Sequence, residues 1–251
     1  MMKQIHVNKS AIPGVFTFFN LLFGFLAILQ SALGAFGKAA WLILAAALFD
    51  GLDGATARLL KVPSNFGKQF DSAADLVSFC TAPAVLLYFA YIEGMHPFLG
   101  AMISFTPLFA GAFRLARFTI QSEDAPKHFF TGLASTAQAL TFASFVLFNQ
   151  GIYGSPGDPR IALLLALVLS YLMVSHIPYA KIPYIGINWR GRIKVVALML
   201  CVGALTFWKS LILFPLAALY VAAGIVRAFL PHDEAQIKTK VVSKRGFFKS
   251  K

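Results

Sequence analysis

Apolar residues in this chain neither alternate nor form a narrow stripe; they run on for helix-spanning lengths between short polar clusters. A helix crosses a bilayer's hydrocarbon core with about 20 apolar residues. Eight stretches reach or approach that length, roughly 12–35, 39–57, 67–92, 97–119, 129–151, 160–180, 193–208 and 210–230. Only Lys209 separates the last two, so whether they are separate helices stays open. Met1 to Lys9 is polar and short, and the apolar stretch after it is long enough to span, so no cleavable signal is expected. No internal repeat or low-complexity linker divides the chain. The pattern predicts an all-α, polytopic membrane helix bundle of about eight transmembrane helices. It forms one domain over 1–230, followed by a basic tail over 231–251.

Composition removes the other classes. Hydrophobic residues make up 58% of the 251 positions and charged residues 13%, against about 25% charged in soluble domains. That leaves too little polar surface to coat a globule, which excludes a soluble enzyme. Disorder is excluded by the apolar content, and a coiled coil by the lack of a heptad. Cys80 and Cys201 lie in apolar runs without a CxxC partner, which argues against a disulfide framework or a zinc site.

The net charge of +12 marks a cytoplasmic face in a membrane chain, with no nucleic-acid partner called for. With eight spans, 19 of the 22 basic residues fall on the side of the termini, leaving Lys38, Arg160 and Lys209 opposite. Both termini are therefore expected on the cytoplasmic side of the cell membrane. The basic tail (Lys238, Lys240, Lys244, Arg245, Lys249, Lys251) suits an anionic lipid surface, at ~1 kcal/mol per side chain.

The ten acids are more informative. Six (Glu93, Glu123, Asp124, Asp158, Asp233, Glu234) lie in loops or the tail, whereas Asp50, Asp53, Asp71 and Asp75 fall inside apolar helices. A carboxylate there costs ~2.5–3.5 kcal/mol on insertion scales. Asp50 and Asp53 share one helix face, as do Asp71 and Asp75, and a short turn around Lys61–Asn65 makes the two helices antiparallel neighbours. Four converging carboxylates would repel and protonate unless a cation compensates. Hard oxygen ligands at this density suit Mg²⁺, Mn²⁺ or Ca²⁺. Gly54, Ala57, Gly67, Ala74 and Ser78 remove bulk nearby, where a ligand or a neighbouring backbone must come close. Arg58, two turns after Asp50, adds a planar cation, and a metal beside an arginine is what a diphosphate needs. The competing reading is a metal-free buried salt-bridge network around Arg58, but one arginine cannot neutralise four acids.

The stretch reads Asp50-x2-Asp53-Gly54-x2-Ala57-Arg58-x8-Gly67-x3-Asp71-x3-Asp75. It resembles the signature of the CDP-alcohol phosphatidyltransferase family at each of its positions. The resemblance implies that Asp50, Asp53, Asp71 and Asp75 hold two divalent metals, Mg²⁺ or Mn²⁺, that bridge the diphosphate of a CDP-linked lipid. It implies Asp75 as general base for the acceptor hydroxyl, and Gly54, Ala57, Arg58 and Gly67 as lining of the cytidine diphosphate pocket. Members often read Pro-Asn-x-x-Thr in the first helix; here Pro13 and Thr17 match, which the resemblance implies as further contacts to the CDP-lipid, and Gly14 stands at the Asn position.

Further features are similar to the bacterial and archaeal branch that uses serine. They are Asn20 to Gly24, Phe70 to Phe79 with Ala82-Pro83-Ala84, Arg114 to Phe118, and Tyr171 to Ser175 before Ile177-Pro178-Tyr179. A Gly-Leu-Pro-Ser-Pro run common in that branch appears here as Gly132 to Thr136 without the prolines. The resemblance implies CDP-diacylglycerol and L-serine as substrates, CMP as leaving group, and a homodimer among membrane lipid. Arg114 and Arg117, i,i+3 near the cytoplasmic end of a span, either bind an acceptor carboxylate or lipid phosphate, or snorkel and cap a helix end. Two alternatives stay open. One is a same-family transferase using glycerol-3-phosphate or an inositol phosphate; the other is a divalent-cation transporter, which leaves Arg58 unexplained.

Overall fold

A computed structural model describes residues 11–60, 65–92, 95–121, 130–175, 177–179 and 211–229. The described residues are almost wholly helical. In chain order the elements are α1 (Ala11–Ala32), α2 (Phe36–Leu60), α3 (Asn65–Asp75), a π-helical turn (Leu76–Thr81), α4 (Ala82–Tyr91), α5 (Pro97–Gln121), strand β1 (Phe130–Thr131), α6 (Ser135–Tyr153), α7 (Pro159–Val174), strand β2 (Pro178–Tyr179) and α8 (Leu213–Phe229). Three helical stretches are long and apolar enough to cross a membrane: Gly14–Ala32, Asn65–Tyr91 and Pro97–Phe118. Two shorter apolar helices are Pro159–Val174 and Leu213–Val226. α2 has spanning length but carries Lys38, Asp50, Asp53 and Arg58, the charge expected of a helix lining a polar site.

The first six expected spans and the eighth therefore coincide with helices in place, but eight crossings are not established. The stretch 193–208, the tail and the turn residues 61–64 lie outside the described residues. Two expected boundaries are corrected. The stretch expected to be helical from 129 starts helix only at Ser135, because Phe130–Thr131 pairs antiparallel with Pro178–Tyr179 and Gly132 turns the chain at φ +85°. The stretch expected to continue to 180 stops at Val174. Ser175 is extended (ψ 160°), and the residue before Pro178 is sterically biased away from the helical region. Gly132 N–H donates to the Ile177 carbonyl (2.9 Å) and Leu133 N–H to that of Leu172 (3.0 Å), so this small clamp ties the entry of α6 to the exit of α7.

Packing is built from small residues. Ala27, Ala39, Ala40, Ala46, Ala82, Ala139, Ala143, Ala162 and Ala166 are buried around Ile43, Phe79, Leu86, Leu87 and Phe142. Small side chains let helices approach closely where lipid removes the hydrophobic drive for association. A second core of Ala110, Leu133, Leu169, Leu172, Met173 and Val221 joins α5, α7 and α8. The outside is apolar as well: Phe98, Phe105, Phe109 and Phe113 on α5 and Leu164 and Tyr171 on α7 are among the exposed side chains. A helical bundle apolar both inside and out is that of an integral membrane protein.

Candidate active site

α2 and α3 both pack against α1, and that contact assembles the site. Phe49, next to Asp50, lies within 5.2 Å (ring centroids) of both Phe19 and Phe23 on α1. This aromatic seam sets the rotation of α2 and turns Asp50 toward α3. Oxygen atoms of Asp50, Asp71 and Asp75 then lie within 4.8 Å of one another, all three side chains half-buried. Three carboxylates from two helices at this separation offer hard oxygen donors on one side of a common point. The set could hold a divalent ion.

Asp53, also buried, falls outside that trio. Its carboxylate accepts a hydrogen bond from the hydroxyl of Thr17 on α1 and lies within electrostatic reach of Asp71. The family resemblance implied Asp53 as a metal ligand and Thr17 as a contact to the CDP-lipid; here the two residues meet each other. Gly54 and Gly67 sit on α2 and α3 beside the acids, both half-buried. Gly14 faces open space, with nothing within 4 Å of where a side chain would begin. Pro13, Ala57 and Arg58 lie in the backbones of α1 and α2, and their side chains are outside the described residues.

One residue of the site emerges only from the fold. Asn20, fully buried on α1, donates from Nδ2 to Asp75 Oδ1 at 3.2 Å. The sequence offered Asn20 within a motif but carried no sign of its partner, 55 residues away. Behind Asp75 the helix widens into the π turn. Thr81 Oγ1 bonds the Leu76 carbonyl (3.0 Å) and the Ala82 N–H bonds that of Val77, both five residues back. Such widened turns are frequent at functional sites. The turn brings Ser78 Oγ onto the Asn20 carbonyl at 2.9 Å and seats Ser78 against Gly24, where a Cβ would fall 2.7 Å from the Ser78 Cα. The small residues Gly24 and Ser78 thus serve a close approach of backbones.

Arg114 and Arg117 on α5 part company. Arg117 donates to the Val174 carbonyl at 3.2 Å, satisfying the open end of α7. Arg114 is only 8% exposed, stacks its guanidinium 4.6 Å from the Phe118 ring centre and has a buried Nε with no hydrogen-bond partner among the described residues. It lies within electrostatic reach of Asp75. A buried guanidinium near the carboxylates can receive an anion.

A family model described as CDP-alcohol phosphatidyltransferase matches residues 10–172, which include the four aspartates, Thr17, Asn20, Ser78, Arg114 and Arg117. Among similar proteins is a CDP-diacylglycerol–serine O-phosphatidyltransferase of Helicobacter pylori, 32% identical over 86% of this chain and 90% of the relative. An archaetidylserine synthase of Methanothermobacter thermautotrophicus is 33% identical over 70% of this chain and 72% of the relative. A CDP-diacylglycerol–serine O-phosphatidyltransferase of Bacillus subtilis is 30% identical over 67% of this chain and 89% of the relative.

Proposed function

The chain belongs to the CDP-alcohol phosphatidyltransferase family, and from that premise we propose that it transfers the phosphatidyl group of CDP-diacylglycerol to L-serine, giving phosphatidylserine and CMP. Membership makes it an enzyme and sets aside the cation-transporter alternative. The observation that carries the reading is the convergence of Asp50, Asp71 and Asp75 within 4.8 Å inside a membrane bundle. The names of the relatives from Helicobacter pylori and Bacillus subtilis support serine as acceptor.

In this reading Asp75 accepts the proton of the serine hydroxyl as that oxygen attacks the lipid-proximal phosphorus. The bond from that phosphorus to the bridging oxygen breaks, and CMP leaves. An alcohol ionises far above neutral pH, so attack requires a positioned base. No covalent enzyme intermediate is invoked. Asp50, Asp53, Asp71 and Asp75 would hold two divalent ions, Mg²⁺ or Mn²⁺, which when bound neutralise the diphosphate and the departing CMP. Asp53 can serve while keeping its bond from Thr17, because a carboxylate offers two oxygens. Gly54, Ala57, Arg58, Gly67, Pro13 and Thr17 would surround the CDP moiety. Arg114 would receive the serine carboxylate or a lipid phosphate, with Arg117 holding α7 beside it. The active site and both termini face the cytoplasm on the strength of the basic-residue asymmetry, and the working unit would be a homodimer.

The deciding experiment incubates purified protein and CDP-diacylglycerol with labelled serine, glycerol-3-phosphate or inositol phosphate and follows CMP release and lipid product. Turnover with serine is expected. Turnover only with a phosphorylated alcohol would refute serine as acceptor and assign Arg114 to that phosphate.

A further inference from the structure

Asn20 is fully buried, yet only half of its side chain is used. Nδ2 donates to Asp75 Oδ1, whereas Oδ1 has no hydrogen-bond partner among the described residues. Leaving a buried amide oxygen unpaired costs stability, and an apolar side chain of the same volume would remove that cost. The retained amide therefore needs a reason other than packing, and Asp75 is the polar group it touches. The opposite orientation of the amide would set its oxygen against a carboxylate oxygen, so Asp75 also explains why Oδ1 is the atom left over.

The backbone is held as firmly as the side chain. Ser78, three residues past Asp75, donates to the Asn20 carbonyl at 2.9 Å. Asn20 and Asp75 are thus joined both through the side-chain bond and through the π turn. One turn earlier on α1, Thr17 donates to Asp53 in the same manner. α1 therefore presents two donors, spaced i,i+3, to carboxylates that arrive on two other helices.

We propose that Asn20 is a positioning residue for Asp75: its Nδ2–H holds one carboxylate oxygen and so fixes the rotation in which the other meets the acceptor hydroxyl. The inference rests on the reading of Asp75 as base but is indifferent to which alcohol is used. Losing a group that orients a reacting or ligating carboxylate costs on the order of 10–100-fold in metal affinity or activity, so the effect on rate is read with metal in excess.

The test compares the full-length protein with Asn20→Leu and Asn20→Asp at saturating Mg²⁺ or Mn²⁺, measuring kcat, both KM values and the melting temperature. For Asn20→Leu we expect kcat to fall about 10–100-fold, with both KM values near wild type and a melting temperature at or above it. Asn20→Asp, which keeps the size but sets a second carboxyl in place of the amide donor, should lose kcat at pH values where both carboxyls are ionised and decides the matter if the leucine variant does not fold. Wild-type kcat in either folded variant overturns the proposal, as does a loss confined to KM or one that merely follows a lowered melting temperature. A wild type that ignores serine but uses another alcohol refutes the acceptor assignment only, and the same comparison is then read with that alcohol. A wild type active with no alcohol overturns both.

Discussion

Gly24 on α1 is where the site is most sensitive to one added methyl group. A Cβ built there falls 2.7 Å from the Ser78 Cα and 2.8 Å from its Cβ, whereas unbonded carbons rest about 3.5–4.0 Å apart. The Cα belongs to the backbone of the π turn and cannot rotate away, so Gly24→Ala must push α1 back by roughly 1 Å. Overpacking of this kind costs about 1–3 kcal/mol, and each kcal/mol lowers the melting temperature by about 2–4 °C in a chain of this size. The same displacement would stretch the Asn20–Asp75 bond from 3.2 Å to about 4 Å, beyond hydrogen-bond range. Gly24→Ala should therefore lower both the melting temperature and kcat. Thermal unfolding and steady-state transfer, measured on the same detergent-solubilised sample, check this. An unchanged melting temperature would refute the close approach, and a lowered one with undiminished kcat would refute the link between the seating of α1 and the chemistry.

Asp75→Asn should reduce transfer by about 10²–10⁴-fold while CDP-lipid affinity, measured by calorimetry, changes little; retained turnover would remove Asp75 as the base. Chelation with EDTA should abolish transfer, and readdition of Mg²⁺ or Mn²⁺ should restore it, so activity persisting without metal would count against the carboxylate trio as a metal site. Gly132→Ala forces an alanine to φ +85° with its Cβ 3.0 Å from the Ser175 carbonyl oxygen. It should destabilise the protein by about 1–3 kcal/mol, seen as earlier thermal unfolding.

Much of this protein can be read without its fold. Long apolar runs determine helices, because an unpaired backbone in hydrocarbon costs several kcal/mol per group. Acids placed inside such runs stand out for the same reason. The pairs Asp50/Asp53 and Asp71/Asp75 are local in sequence, and helical periodicity alone puts each pair on one face. That is why a candidate site and the family could be named from about one tenth of the chain.

What stayed hidden depends on contacts between distant segments. No pattern in 129–134 shows that Phe130–Thr131 pairs with Pro178–Tyr179, since the partner of a short strand is a property of the folded chain. Helical spacing placed Arg114 and Arg117 together but could not separate one that donates to the Val174 carbonyl at the end of α7 from one whose guanidinium is buried over the Phe118 ring within reach of Asp75. Which aspartates close into a trio and which one turns to Thr17 was likewise decided by the seating of α1, set by Phe49 against Phe19 and Phe23 and by Gly24 against Ser78. Periodicity specifies the face a residue occupies on its own helix; only tertiary packing specifies which other helix meets that face, and at what height.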